Sequence, residues 1–202
     1  MRQRITRGLL WVMVFTGGIV VGAKLFDLRV LVGAWSQSPP ESLNLLPYGS
    51  RWPVDTGEFF IPISGSYLLA SLAALVAAWP TPTRYRSLIL VSFATCFAAL
   101  VVTVTQMWPR NAALWAAASG APGALQDRAA IVQMVHEWVV IDWLRVALGA
   151  LAFLAAIRAI SIPFPPEATW PVRTPTLLAR LGYAAGIVGV LAFAVYFLRA
   201  VL

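Results

Sequence analysis

Five stretches of the chain run apolar for about twenty residues each, near 8–26, 62–80, 87–107, 139–160 and 179–201. A helix rises about 1.5 Å per residue, so each stretch can cross a hydrocarbon layer of roughly 30 Å. In lipid a lone strand or loop leaves its backbone hydrogen bonds unmade, so every span is predicted to be a helix. The pattern therefore predicts an all-α membrane protein, a four-helix transmembrane bundle over 1–160 plus a fifth C-terminal transmembrane helix over 178–202. The proline-rich stretch SIPFPPEATWPVRTP supplies a linker over 161–177, and two longer loops are expected at 27–61 and 108–138. Within the first loop, DLRVLVGAW either continues the helix or forms a short strand, whereas SPPES and RWPVDTGE are rich in turn formers. Within the second, Asp127 marks a helix start that feeds directly into the fourth span. MRQRITR followed by an apolar run ending in VGA also fits a secretory signal cut after Ala23, but it is read as an uncleaved first span.

Composition agrees with this pattern: 60% of residues are hydrophobic and 11% charged, against about 25% charged in soluble domains. The sparse charges then set an orientation. With the N-terminus cytoplasmic and five alternating spans, the inner side collects eight arginines against the single acid Glu167. The outer side balances seven cations with seven acids, and together these reproduce the net charge of +7. Such an arginine asymmetry predicts an integral protein of a bacterial cytoplasmic (inner) membrane, with its C-terminus outside. The basic balance is thus a topology signal. No exposed basic stripe remains to track phosphates, so no nucleic-acid partner is expected. Membrane lipid is the expected environment, and a hydrophobic small molecule is a candidate ligand.

Polar groups inside the fourth span stand out against this background. Counted from Arg158 at about 1.5 Å per residue, Arg145 lies about 20 Å into the layer, Asp142 about 24 Å and His136 about 33 Å. A wheel at about 100° per residue puts Trp138, Asp142 and Arg145 on one side, continued by Gly149, Ala152 and Ala156. His136 falls on the opposite side with Val140, Trp143 and Leu154. Asp142 and Arg145 are therefore the membrane-embedded pair, on a face whose small residues let a neighbouring helix come close. Lys24 with Asp27, Gln106 with Thr103 and Thr105, and Ser64, Ser66 and Tyr67 lie at similar depths in other spans. Together they suggest a polar chamber at the outer end. Intramembrane charges point to function by default; the competing reading is that the pairs neutralise one another and fix helix register.

Six of the nine tryptophans (Trp35, Trp52, Trp108, Trp115, Trp138 and Trp143) belong to the outer side. They read either as an interfacial belt or as the aromatic wall of a pocket. Metal and cofactor chemistry finds little support. His136 is the sole histidine and Cys96 the sole cysteine, and no GxGxxG, Walker or GxSxG motif occurs, so no cofactor is expected.

WPRNAALW, followed after a loop by HEWVVIDWLRVALGALAFLAAIRAI, resembles the anthrone-oxygenase-like membrane proteins (DUF1772). A P-x-N-x-x-L element falls on Pro109, Asn111 and Leu114, and a W-x-x-x-N/D-x-x-R element on Trp138, Asp142 and Arg145. GAKLFDLRVLVGAW and GEFFIPIS are similar to the same family, and the resemblance covers about residues 8–160. Ala112 and Ala113 stand where a second asparagine is frequent, and Asp142 where asparagine is common. The resemblance implies an oxygenase that oxidises anthrones with O₂ and no cofactor. Asp142 would then be the base and Arg145 the oxyanion partner, with Asn111, Trp138, Gln106 and His136 as substrate-binding candidates. The alternative is a non-catalytic accessory or scaffold subunit whose fifth helix docks partner proteins. Alternating-access transport fits poorly, since no internal repeat is visible.

Overall fold

The computed structural model describes residues 1–47 and 56–170. Tyr48, Trp52, the RWPVD stretch, the second half of the linker and the expected fifth span lie outside the described residues. Met1–Thr169 forms one compact unit, and its described residues contain no strand. "Upper" below denotes the end of the bundle at which the first helix finishes.

Among the described residues, four helices are long and apolar enough to cross a membrane. The first begins as α1 (Arg2–Phe26), widens into a π-turn at Asp27–Leu31 and ends as α2 (Val32–Trp35). DLRVLVGAW therefore continues the helix. Next come α3 (Thr56–Ala77) and α4 (Thr83–Val102). The helix of α4 passes through a second π-turn, Thr103–Met107, into α5 (Trp108–Ser119), and α6 (Arg128–Ser161) completes the set. Residues 108–119, expected in a loop, are thus helical. Pro109 sits in the first turn of α5, immediately above the wide π-turn, where its missing N–H and its ring are tolerated. Gly120 ends that helix in the left-handed conformation (φ 66°), with Ala121 N–H bonded back to the Ala116 carbonyl. Asp127 caps α6 as expected, its carboxylate accepting from the N–H groups of Ala129 and Ala130.

The spans pack as a ring, α1 against α3 and α6, and α4 against α3 and α6. Small residues make the contacts close, as membrane helices require. A Cβ on Gly17 of α1 would stand 2.7 Å from the Tyr67 ring and 3.1 Å from Phe153, so α3 and α6 both press on this point. Gly17→Val is expected to destabilise the bundle by about 1–3 kcal/mol through overpacking; a shifted unfolding midpoint in detergent micelles would register it. Tyr67 hydroxyl donates to Ser92 Oγ (2.6 Å), which donates to the Ala152 carbonyl (2.9 Å), stitching α3, α4 and α6 together.

Two apolar clusters divide the interior. The lower one gathers Leu10, Met13, Tyr67, Ala74, Ile89, Ala152 and Ala156. The upper one gathers Leu28, Val32, Trp35, Leu43, Met107, Leu114, Val135 and Trp138, so the segment after α2 roofs the bundle. Arg128 clamps that roof from outside through a two-pronged pair with Glu41 (2.6 and 3.1 Å). The Glu41 carboxyl is held below its ordinary value of 4.5, first by its own backbone N–H and then by Arg128. A lowered carboxyl stabilises the folded form above its unfolded value, and that contribution is lost as pH falls through the folded one. Protection factors of the turn Glu41–Leu45, with the intrinsic pH dependence of exchange divided out, are therefore expected to fall once pH drops well below 4.5 and to be constant from neutrality down to that point.

Candidate functional site

Helix register builds the site. At the lower end Arg7 donates from its guanidinium to the Ile160 carbonyl (3.4 Å), which sets α1 against antiparallel α6. Lys24 lies 17 residues above Arg7 and Asp142 18 residues from Ile160, rises of about 26 and 27 Å. The two side chains must then meet, still within a layer of roughly 30 Å. They do: Lys24 Nζ reaches Asp142 Oδ2 at 3.4 Å.

Each partner also carries an opposite charge three residues away on its own helix. Lys24 bonds Asp27 Oδ2 at 2.7 Å, and Arg145 bonds Asp142 Oδ1 at 2.6 Å. The result is an alternating chain, Asp27–Lys24–Asp142–Arg145, with two positive and two negative groups and no net charge. Its side chains are 3%, 10%, 0% and 16% exposed in that order. Burial at this depth is tolerable because each charge finds its opposite. The Lys24 ammonium also stands over the Phe60 ring, 4.9 Å from its centre. Two polar atoms of these four side chains lack a hydrogen-bond partner among the described residues, Asp27 Oδ1 and Arg145 Nε.

One turn above Asp142, fully buried Trp138 packs edge-on against Trp35, ring centres 4.9 Å apart. Its indole N–H donates to Asn111 Oδ1 at 2.6 Å. The asparagine of the P-x-N-x-x-L element and the tryptophan of the W-x-x-x-D-x-x-R element are thus in direct contact, and Leu114 is buried in the same upper cluster.

Of the six candidates, Asp142, Arg145, Trp138 and Asn111 come together in one column. Gln106 does not join them: it is exposed and bonds Arg110, which in turn bonds Glu137. His136 is exposed on the far side of α6. Lys24 and Asp27, which the sequence places in the polar chamber but not among the six candidates, are the additions. Their signal was depth, since both lie as far from the arginine-rich end as Asp142 does. Among the described residues no three His, Cys, Asp or Glu side chains converge as metal ligands. The chemistry on offer is proton transfer and charge stabilisation beside two indoles.

These features define a multi-pass helical membrane protein with a neutral ion layer buried under an aromatic roof. The family model described as anthrone oxygenase matches residues 53–155, about half of the sequence, and the chain belongs to that family. The matched stretch contains Asn111, Trp138, Asp142 and Arg145, whereas Lys24 and Asp27 precede it. No curated protein and no solved structure matches the chain.

Proposed function

We propose that the protein is a cofactor-independent oxygenase of the bacterial cytoplasmic membrane, acting on a flat, hydrophobic aromatic ketone of the anthrone type. The arginine asymmetry orients the upper end outward and the N-terminus to the cytoplasm. What carries the reading is the buried layer of two carboxylates and two cations directly beneath the Trp35–Trp138 pair. The family to which the chain belongs supports the same chemistry.

In that reaction a carboxylate removes a proton from the CH₂ carbon between two aryl rings, leaving an enolate that a neighbouring cation stabilises. The enolate passes one electron to O₂, and the resulting radical pair joins to form a peroxide at that carbon. Loss of water leaves the second carbonyl. Anthrone and O₂ thus give anthraquinone and water; one oxygen atom stays on the ring and the other leaves with the two hydrogens. Arg145 and Lys24 are the cations, and Asn111 holds Trp138 in place against Trp35.

Purified protein in lipid nanodiscs should consume O₂ and form quinone from 1,8-dihydroxyanthrone. Asp142→Asn and Arg145→Ala should each slow this by about a hundredfold or more, because each breaks up the charged layer that stabilises the enolate. A wild-type rate equal to that of empty nanodiscs sinks the oxygenase reading for this substrate. One observation favours a second reading: both oxygens of Asp142 are already held by cations, as in a layer that only fixes helix register. On that reading the chain is a non-catalytic subunit. Gentle extraction would then recover it with stoichiometric partners that deletion of 171–202 releases, and recovery of a lone chain counts against it.

A further inference from the structure

We propose that Asp27, and not Asp142, is the proton-accepting carboxylate of the ion layer. The identity of the proton donor, an acidic C–H or phenolic O–H of a flat aromatic molecule, rests on the oxygenase reading; the choice between the two carboxylates rests on geometry alone.

Asp142 has no oxygen to spare. Oδ1 is bonded to Arg145 at 2.6 Å and Oδ2 to Lys24 at 3.4 Å. Protonating it takes the counter-charge from both cations at once. Asp27 makes one such contact, Oδ2 to Lys24 at 2.7 Å, and its Oδ1 is buried without a partner among the described residues. A buried carboxylate oxygen is nearly always satisfied, so a bare one marks a place where a donor or a proton belongs. When Asp27 takes a proton, Lys24 keeps Asp142 as its second partner and Arg145 loses nothing. The layer then carries one net positive charge, and the enolate left on the donor carries one negative charge. Neutrality is preserved through the step, inside a medium that tolerates little else.

The backbone supports the same assignment. Asp27 opens the π-turn Asp27–Leu31, and both Asp27 and Leu28 are buried while residues 25, 26, 29 and 30 are exposed. Asp27, three residues after Lys24, shares the stripe that Lys24, Leu28, Val32 and Trp35 line. Single π-turns within α-helices are frequent at functional sites. The charged groups facing Asp27 are Lys24 from its own helix and, beyond it, Asp142 and Arg145 from α6. Asp27 precedes the stretch 53–155 matched by the family model, within the segment GAKLFDLRVLVGAW.

Dicyclohexylcarbodiimide, an apolar reagent, tests the assignment on the wild-type chain in nanodiscs. A carboxyl group gives its proton to a carbodiimide nitrogen, its oxygen adds to the central carbon, and rearrangement leaves a stable N-acylurea carrying the whole reagent. Peptide mass spectrometry should find the adduct on Asp27 in preference to Asp142. It should be lost in Asp27→Asn without moving to Asp142, and be retained at the same position in Asp27→Glu. An adduct mainly on Asp142, or on neither residue, overturns the assignment. Anthrone oxidation is read separately. Labelling of Asp27 without oxidation keeps the assignment and rejects the oxygenase reading. Undiminished oxidation by Asp27→Asn rejects the assignment and keeps the oxygenase reading.

Discussion

Asp142→Asn is expected to lower the stability of the bundle by about 3–5 kcal/mol, the usual cost of removing one partner from a buried ion pair. The size follows from the geometry. Asp142 is fully buried and is the one carboxylate that touches both cations. Without its charge, Arg145 has no acidic partner among those described, and the layer holds two positive charges against Asp27 alone. The asparagine keeps the volume and one acceptor, so the loss reports charge and not packing. Reversible unfolding in mixed micelles would measure it. The companion double variant Asp142→Leu with Arg145→Leu removes one charge of each sign, leaves Lys24 paired with Asp27, and should cost markedly less than the single change. If Asp142→Asn unfolds within about 0.5 kcal/mol of wild type, in the range of an ordinary surface substitution, the layer is not energetically coupled.

Trp138→Ala is the second large effect, about 3–5 kcal/mol for emptying a filled aromatic site in a packed core. Trp138 fits against Trp35, and the upper cluster around it includes Leu43 and Met107, so the void would open where three segments meet. Trp138→Phe separates two contributions. It keeps most of the ring contact but strips the N–H from Asn111 Oδ1, at about 1–3 kcal/mol for a hydrogen bond whose partner is left behind. Equal losses for the two variants would mean that the hydrogen bond, and not the packing, holds this level together. Both changes should be read by the same unfolding equilibrium, with Leu154→Ala on the exposed side of α6 as the reference.

The helical layout was legible because lipid leaves the backbone few choices, and because the wheel of α6 separates a small, charged face from a bulky one. That wheel placed Asp142 and Trp138 inward and His136 outward, as the burial pattern does. Two things were not legible. The helical course of 108–119 was hidden by Pro109, which disrupts a helix interior but fits a first turn set on a π-turn. The contact between Lys24 and Asp142 spans 118 positions, and nothing local in the sequence announces it. It follows only once α1 and α6 are known to be neighbours, after which the Arg7–Ile160 bond fixes the rest. Gln106 went astray for a related reason. Depth alone suggested it for the chamber, while its side of the helix turns it to the rim beside Arg110.

The division of the ion layer between two helices also bears on how the protein is made. Lys24 and Asp27 are three residues apart on the first span, and Asp142 and Arg145 are three apart on the fourth. Each helix therefore compensates its own buried charge of the layer and can enter the bilayer without waiting for the other. The longer 3.4 Å link between Lys24 and Asp142 needs both helices in place. Insertion and docking can then be separate events, because the four ionised groups of the layer are already paired within their own helices.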